Sequence, residues 1–228
     1  KYKNNIKLKK YINGKPNSFC LMNVRNKNFL AILYRFSSLK NKILIYDLAG
    51  NYHSKIILNL KDAQDLESFD TNIIISDTNN RRLVLYDLIS KKIFIKNLCK
   101  YTNNNKLLTK TVTWDKVGNI YTADFEKCII LKFNINLDLI EKIDFSKLKK
   151  DLKVIRGIIV KDKYIFILNR SIKPLLAYDL IQKKFITKKH FYKIQKLHNP
   201  TSLILFKKDA YVCDKENDRV VRLKNFIY

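Results

Sequence analysis

The groups in this chain with the chemistry to act on a substrate are few and scattered. Histidine occurs at positions 53, 190 and 198 only. His53 and His190 fall in outer-strand contexts or the connection after one, so they point to the periphery and not to a shared centre. A metal site or an acid–base pair needs ligands that converge. The candidate acids Glu67, Asp115 and Asp162 lie at the ends of predicted inner strands or in the turns after them, where they read as turn residues. The cysteines at 20, 99, 128 and 213 form no CxxC, so metal-finger spacing is absent. Cys128 and Cys213 fall inside predicted strands and read as small buried hydrophobes. With four Gly in the chain there is no Gly-rich phosphate loop. On these grounds no catalytic residue, metal ligand or cofactor is assigned.

What does recur is a carboxylate followed at a fixed distance by an arginine. Asp77, Asn80, Arg82 and the exit pair Tyr86-Asp87 frame a short polar turn between two apolar strands. Asp214, Asn217 and Arg219 repeat the arrangement near the C-terminus. A unit that returns marks a repeat architecture. Asp77, Asp124, Asn169 and Asp214 are spaced 47, 45 and 45 residues apart. The strand-exit positions Asp47, Asp87, Asn134, Asp179 and Lys224 are spaced 40, 47, 45 and 45.

This period holds four strands. Runs rich in Ile, Val, Leu, Tyr and Phe, bounded by Asn, Asp and Lys, read as strands, and the second strand of each set is apolar almost throughout, as expected when both faces pack. The elements that position the recurring acids are therefore the four-stranded blades of an all-β propeller. Blade repeats are predicted near 18–58, 64–98, 111–144, 154–190 and 200–228. The last lacks an outer strand, and residues 6–12 are expected to supply it. That gives five blades in a single domain over 1–228; six blades, with part of the protein elsewhere, is the alternative. The Asn-rich stretch Tyr101–Lys110 is expected to be a surface loop, and Asp144–Lys153 to hold one short helical turn.

The formal net charge is +26 over 228 residues. Such an excess suggests an anionic partner, yet only eight of the 46 basic residues are Arg. Nucleic-acid sites favour the planar fork of Arg, and a Lys-, Asn- and Ile-rich chain also follows from AT-rich coding. Lys91-Lys92, Lys183-Lys184 and Lys188-Lys189 fall on or beside outer strands, where lysine deters edge-to-edge pairing. Arg81, Arg82, Arg170, Lys173 and Lys215 fall in turns between second and third strands and form the candidate partner- or anion-binding face. No apolar run reaches the ~18–20 residues of a membrane-spanning helix. The chain starts at Lys1; a removed export signal, with the extracytoplasmic location it implies, would explain this, and so would a sequence cut from a longer protein.

These residues resemble the NHL-repeat family of β-propellers. Asp77, Asn80, Arg82 and Tyr86-Asp87 match the family pattern, and Asp214, Asn217 and Arg219 match it again. Gly118–Asp124 is similar to the family's Gly-Asn-Ile-Tyr-Val-Ala-Asp strand, and Asn199-Pro200 also fits. Lys127 and Ile129 replace Asn and Arg in the third repeat; Asn169, Ile172 and Leu175 replace Asp, Asn and Arg in the fourth. The first repeat has Tyr34 and an enlarged turn. The resemblance implies that Asp77 with Arg82, and Asp214 with Arg219, tie turns together and bridge to a neighbouring blade, with Asp124 in the same structural motif. It also implies that a lyase or hydrolase of this fold would carry channel-facing His, Glu, Asp or Tyr sets, which cannot be assembled here. The expected function is a non-catalytic protein-binding or scaffold module. The alternatives are binding of an anionic polymer, either RNA or an acidic glycan, and a divergent lyase or hydrolase.

Overall fold

The structure, a computed structural model, describes residues 14–37, 40–101, 108–148, 152–171, 174–186 and 197–226. Among the described residues, nineteen strands fall into five antiparallel sheets, each a simple meander in chain order. Blade 1 holds β1 (Lys15–Val24), β2 (Lys27–Ser37), β3 (Lys40–Asp47) and β4 (Tyr52–Ile56). Blade 2 holds β5 (Asp65–Phe69), β6 (Asn72–Asp77), β7 (Arg82–Asp87) and β8 (Ile93–Asn97). Blade 3 holds β9 (Thr109–Trp114), β10 (Ile120–Asp124), β11 (Ile129–Phe133) and β12 (Leu139–Asp144). Blade 4 holds β13 (Ile155–Lys161), β14 (Tyr164–Asn169), β15 (Leu175–Asp179) and β16 (Lys184–Ile186). Blade 5 holds β17 (Pro200–Phe206), β18 (Asp209–Asp214) and β19 (Arg219–Leu223). The fold is a five-bladed β-propeller.

Each repeat builds its blade for the same physical reason. In blades 1 to 4 the second and third strands are mostly buried, with apolar side chains of both parities: Ile73, Ile74 and Ile75 are all fully buried. Outer strands have one free edge and carry exposed residues, as in β8. At the strand exits of blades 2 and 4, an Asp closes the turn. Asp87 accepts the N–H groups of Ile89 and Ser90, and Asp179 those of Ile181 and Gln182.

The chain forms two compact units, Lys1–Lys106 and Leu107–Tyr228. In the first, Ala31, Leu33, Ile43, Ile73, Ile75 and Val84 form the core between blades 1 and 2. Ser18 Oγ donates to Asp65 Oδ1 at 2.6 Å, linking the inner strands. In the second, Tyr121, Ile130, Ile158 and Ile165 pack between blades 3 and 4, and Phe166, Leu168, Leu203 and Val212 between blades 4 and 5. The N–H of Ile158 on β13 donates to Thr111 Oγ1 on β9 at 3.3 Å.

Several expectations shift. Tyr101–Lys110 is not loop throughout, because Thr109 and Lys110 already belong to β9; residues 102–107 lie outside the described residues. The helical turn expected after residue 144 is a 3-10 turn at Ser146–Leu148. The enlarged turn of the first repeat arises because β2 and β3 run on to Ser37 and from Lys40. Cys128 is buried as expected, but Cys213 is exposed. Alternation along β18 buries Ala210, Val212 and Asp214 and turns Cys213 the other way. The closing strand expected at 6–12 lies outside the described residues. In blade 5, β19 is largely exposed, with Val220 at 64%.

Gly157, on β13, leaves room for one methyl group. A Cβ there would meet Leu168 Cδ1 at 3.5 Å and the Thr201 carbonyl oxygen at 3.7 Å, both ordinary contacts. Gly157→Ala should therefore stabilise the protein by about 0.5–1 kcal/mol through the unfolded chain. Urea denaturation checks this, and a lower midpoint than wild type would contradict it.

Candidate binding site at the bulged ends of the inner strands

The recurring acids sit at the ends of the second strands, and the structure shows what each oxygen does. Asp77, fully buried, accepts the Lys61 N–H at 2.7 Å through Oδ1. Its Oδ2 accepts Asn80 Nδ2 at 2.8 Å and Arg82 Nε at 2.6 Å. Asp214 repeats the set with the His198 N–H at 2.5 Å, Asn217 Nδ2 at 2.7 Å and Arg219 Nε at 2.9 Å. Asp124 accepts the N–H groups of Leu108, Glu126 and Lys127. Asn169 accepts those of Lys153 and Val154 and donates to Ser171 Oγ. In all four blades the long-range donor lies 16 residues upstream.

These groups tie the turn to the connection that leads into their own blade. Arg82 Nη2 also donates to the Asn59 carbonyl in that connection, so its charge is spent inside the protein. Arg81 is half-buried in the left-handed region at the end of the turn. Its N–H donates to the Thr78 carbonyl, and its own carbonyl accepts the Leu98 N–H. Among the other residues of the expected basic face, Arg170 and Lys215 are exposed in turns of the second unit. Lys173 lies outside the described residues. Of the candidate acids, Asp115 accepts the N–H groups of Val117 and Asn119 within its turn. Asp162 lies in the β13–β14 turn, and Glu67 is half-buried inside β5, not at its end. His53 is exposed on β4, His198 faces Glu216 at 3.1 Å, and His190 lies outside the described residues. Exposed lysines occupy both ends of the blades, Lys161 and Lys207 at one and Lys153 and Lys215 at the other. Among the described residues of the second unit, charge therefore singles out neither end.

A different feature does single out one end. The inner strands of blades 1, 3, 4 and 5 each begin with a β-bulge. On β13, Ile155 pairs with Asn169 and Gly157 with Leu168, so Arg156 is the unpaired extra residue. On β9, Thr109 pairs with Asp124 and Val112 with Thr122, so Lys110 falls in the corresponding irregularity. A bulge re-aims the side chain it carries, and here both cations converge on one ring. Lys110 Nζ sits 3.8 Å and Arg156 Cζ 4.8 Å from the centroid of Phe125. The Phe125 backbone holds the ring in place: its N–H donates to the Leu108 carbonyl, and its carbonyl accepts the Ile155 N–H.

Arg156 Nε is shielded from solvent and has no hydrogen-bond partner among the described residues. Burial pushes the Arg156 guanidinium below its ordinary value, the charge of Arg170 pushes the same way, and Glu216 opposes both. Lys110 and Arg156 are absent from the expected basic face because they lie in strands and not in turns. The available signal was a charged residue inside the otherwise apolar run Val154–Val160.

No family model and no curated protein matches the chain. Solved structures do. The chain is similar to a chain of the nidogen/laminin complex, with TM-score 0.70 and 13% identity over 94% of this chain and 78% of that one. It is similar to Sqt1 of Saccharomyces cerevisiae, with TM-score 0.61 and 10% identity over 92% of this chain, which spans 59% of the Sqt1 chain. Virginiamycin B lyase of Staphylococcus aureus gives TM-score 0.63 and 9% identity over 93% and 70%. At these identities the likeness is one of fold.

The roles of the acids can be separated by substitution. Asp77→Asn leaves Arg82 beside a neutral amide and should cost about 3 kcal/mol. Asp124 has no Arg partner and Asn169 already fills the equivalent place, so Asp124→Asn should cost under about 1 kcal/mol. Urea denaturation at neutral pH compares them, and equal losses would refute this account. For Asp214, burial pushes the carboxyl up, but Asn217, Arg219 and the His198 N–H outweigh it and hold the value below the ordinary range. A lowered folded-state value contributes stability above the unfolded value that is lost as pH falls, from about pH 5 downward. Asp124, raised by burial, has the opposite sign and loses its contribution as pH rises through its folded-state value. Denaturation midpoints between pH 3 and 6 should therefore fall less steeply on acidification in Asp214→Asn than in wild type.

Proposed function

We propose that this chain is a non-catalytic propeller that binds another protein. The observation that carries the reading is the outer edge of blade 2. The sheet order ends at β8, where Ile93, Phe94 and Ile95 are 49, 47 and 54% exposed in succession. An open edge with consecutive apolar side chains invites an added strand, and most surfaces avoid such a stretch unless it is used. Lys92 and Lys96 flank it, which suits an extended segment that is apolar at its centre and acidic at its ends. One structural neighbour comes from a protein complex, nidogen with laminin, which agrees with this use of the fold.

The recurring acids are engaged within the blades. Asp77, Asp115, Asp124 and Asp214 spend their oxygens on backbone and side-chain donors of the blades. No group of three or more His, Cys, Asp or Glu side chains suited to a metal ion occurs among the described residues.

The chain expressed with its native partners should be recovered in a stoichiometric complex with another polypeptide. The double variant Ile93→Lys/Ile95→Lys should weaken that complex about tenfold or more at an unchanged melting midpoint. A wild-type chain recovered only alone, or a complex indifferent to both lysines, would refute the proposal.

A further inference from the structure

Charge selects neither end of the second unit, but exposed aliphatic side chains do. The two most exposed large apolar residues among those described are Ile181 at 73% and Val117 at 71%. Val117 sits in the β9–β10 turn of blade 3 and Ile181 in the β15–β16 turn of blade 4. Ile135, also exposed, sits in the β11–β12 turn. These turns share one end of the unit. Lys116, beside Val117, lies 3.9 Å from Asp162 in the β13–β14 turn. Lys183, in the turn that carries Ile181, donates to Glu141 on β12, close to the turn that carries Ile135. At the other end, the described turn residues after β10, β14 and β18 include no exposed large apolar side chain.

The turns themselves do not call for these side chains. In the β9–β10 turn, Asp115 accepts the N–H groups of Val117 and Asn119, and Gly118 takes the positive φ, so the side chain at 117 is left in water. In the β15–β16 turn, Asp179 accepts the N–H groups of Ile181 and Gln182; Leu180 packs against the core and Ile181 stays exposed. Polar residues suit such positions. The surroundings select the partner. Lys116, Lys161, Lys184 and Lys207 are exposed at the same end. The core of a protein–protein interface is depleted in lysine and enriched in aromatic residues and arginine. Aliphatic tips set among lysines suit an anionic lipid surface instead. There the apolar side chains enter the headgroup boundary, the ammonium groups meet lipid phosphates, and binding grows with both contributions.

We propose that this end of the second unit, led by Val117, Ile135 and Ile181, docks on the surface of a bilayer that contains anionic phospholipid. The three aliphatic tips enter the interface, and Lys116, Lys161, Lys184 and Lys207 contact the phosphates. The net charge of +26 is complementary to such a surface. The proposal is independent of the protein-binding reading, whose edge strand β8 lies in the first unit.

The test sediments the full chain with sucrose-loaded vesicles at physiological salt. One set is phosphatidylcholine alone, and the other holds about a quarter phosphatidylglycerol. Wild type should sediment with the second set and stay in solution with the first. Val117→Ser/Ile181→Ser removes apolar area without changing charge and should weaken binding about tenfold or more. Lys116→Ala/Lys184→Ala should weaken it about as much. Val220→Ser, which removes a comparably exposed aliphatic outside this end, and Lys215→Ala, at the other end, should leave binding unchanged. Melting curves establish that each variant folds. A second readout keeps wild-type charge: Val117→Trp fluorescence should be quenched by bromine on the acyl chains of the anionic vesicles, and Val220→Trp fluorescence should not. Binding of Val117→Ser/Ile181→Ser within twofold of wild type, or equal losses in Val220→Ser, overturns the site. Equal binding to phosphatidylcholine alone overturns the anionic-lipid assignment. Loss of a native polypeptide complex in Val117→Ser/Ile181→Ser, with vesicle binding kept, overturns the proposal in favour of a protein partner at this end.

Discussion

In blades 2 to 5, an oxygen at the end of the second strand accepts the backbone N–H of the residue 16 positions earlier. The bond ties the connection entering a blade to the turn between its second and third strands. Without it, a buried carboxylate and a backbone donor would both be left without partners, which is costly in a dry environment. The four versions satisfy that requirement with different chemistry. Asp77 and Asp214 add an Arg and an Asn, Asp124 adds two backbone N–H groups, and Asn169 adds a hydroxyl. What must be kept is an acceptor, and charge is optional.

This division explains how a blade combines a fixed frame with variable ends. The lock consumes Asp77 and Arg82 and leaves neither for a ligand. The bulge just after the connection is under no such demand, because its residue pairs with nothing across the sheet. In blade 1 the same place holds Asn17, which donates to the Ala63 carbonyl; in blade 4 it holds Arg156, which donates to no described residue through Nε. One position is thus structural in one blade and open in another.

The spacing of Asp77, Asp124, Asn169 and Asp214 made the blades legible, because the lock requires an acceptor at the same strand position in each repeat. Apolar runs such as Ile73–Ile75 made the central strands legible, since both faces are covered. The bulges were not legible. Arg156 and Lys110 look like ordinary strand residues until the pairing partners of Ile155 and Thr109 are known, and cross-strand register is a property of two segments together. The basic face drawn from Arg81, Arg82, Arg170, Lys173 and Lys215 counted charges in turns. It had no access to the contacts that take Arg82 inward and leave Arg170 outward. The exposed Cys213 has the same origin, because a strand's content does not say which parity faces a neighbour.

The 16-residue reach of the lock also bears on how the protein acquires its structure. Donor and acceptor lie within one repeat, so the bond closes a short loop, for which the entropic cost is small. A chain emerging from the ribosome can set the entrance, first strand and second strand of a blade as soon as that repeat is free, before any later repeat exists. Contacts of such short range favour rapid, sequential folding. Within each unit, a completed blade presents an apolar face on which the next repeat packs, as blade 2 does on blade 1 and blade 4 on blade 3.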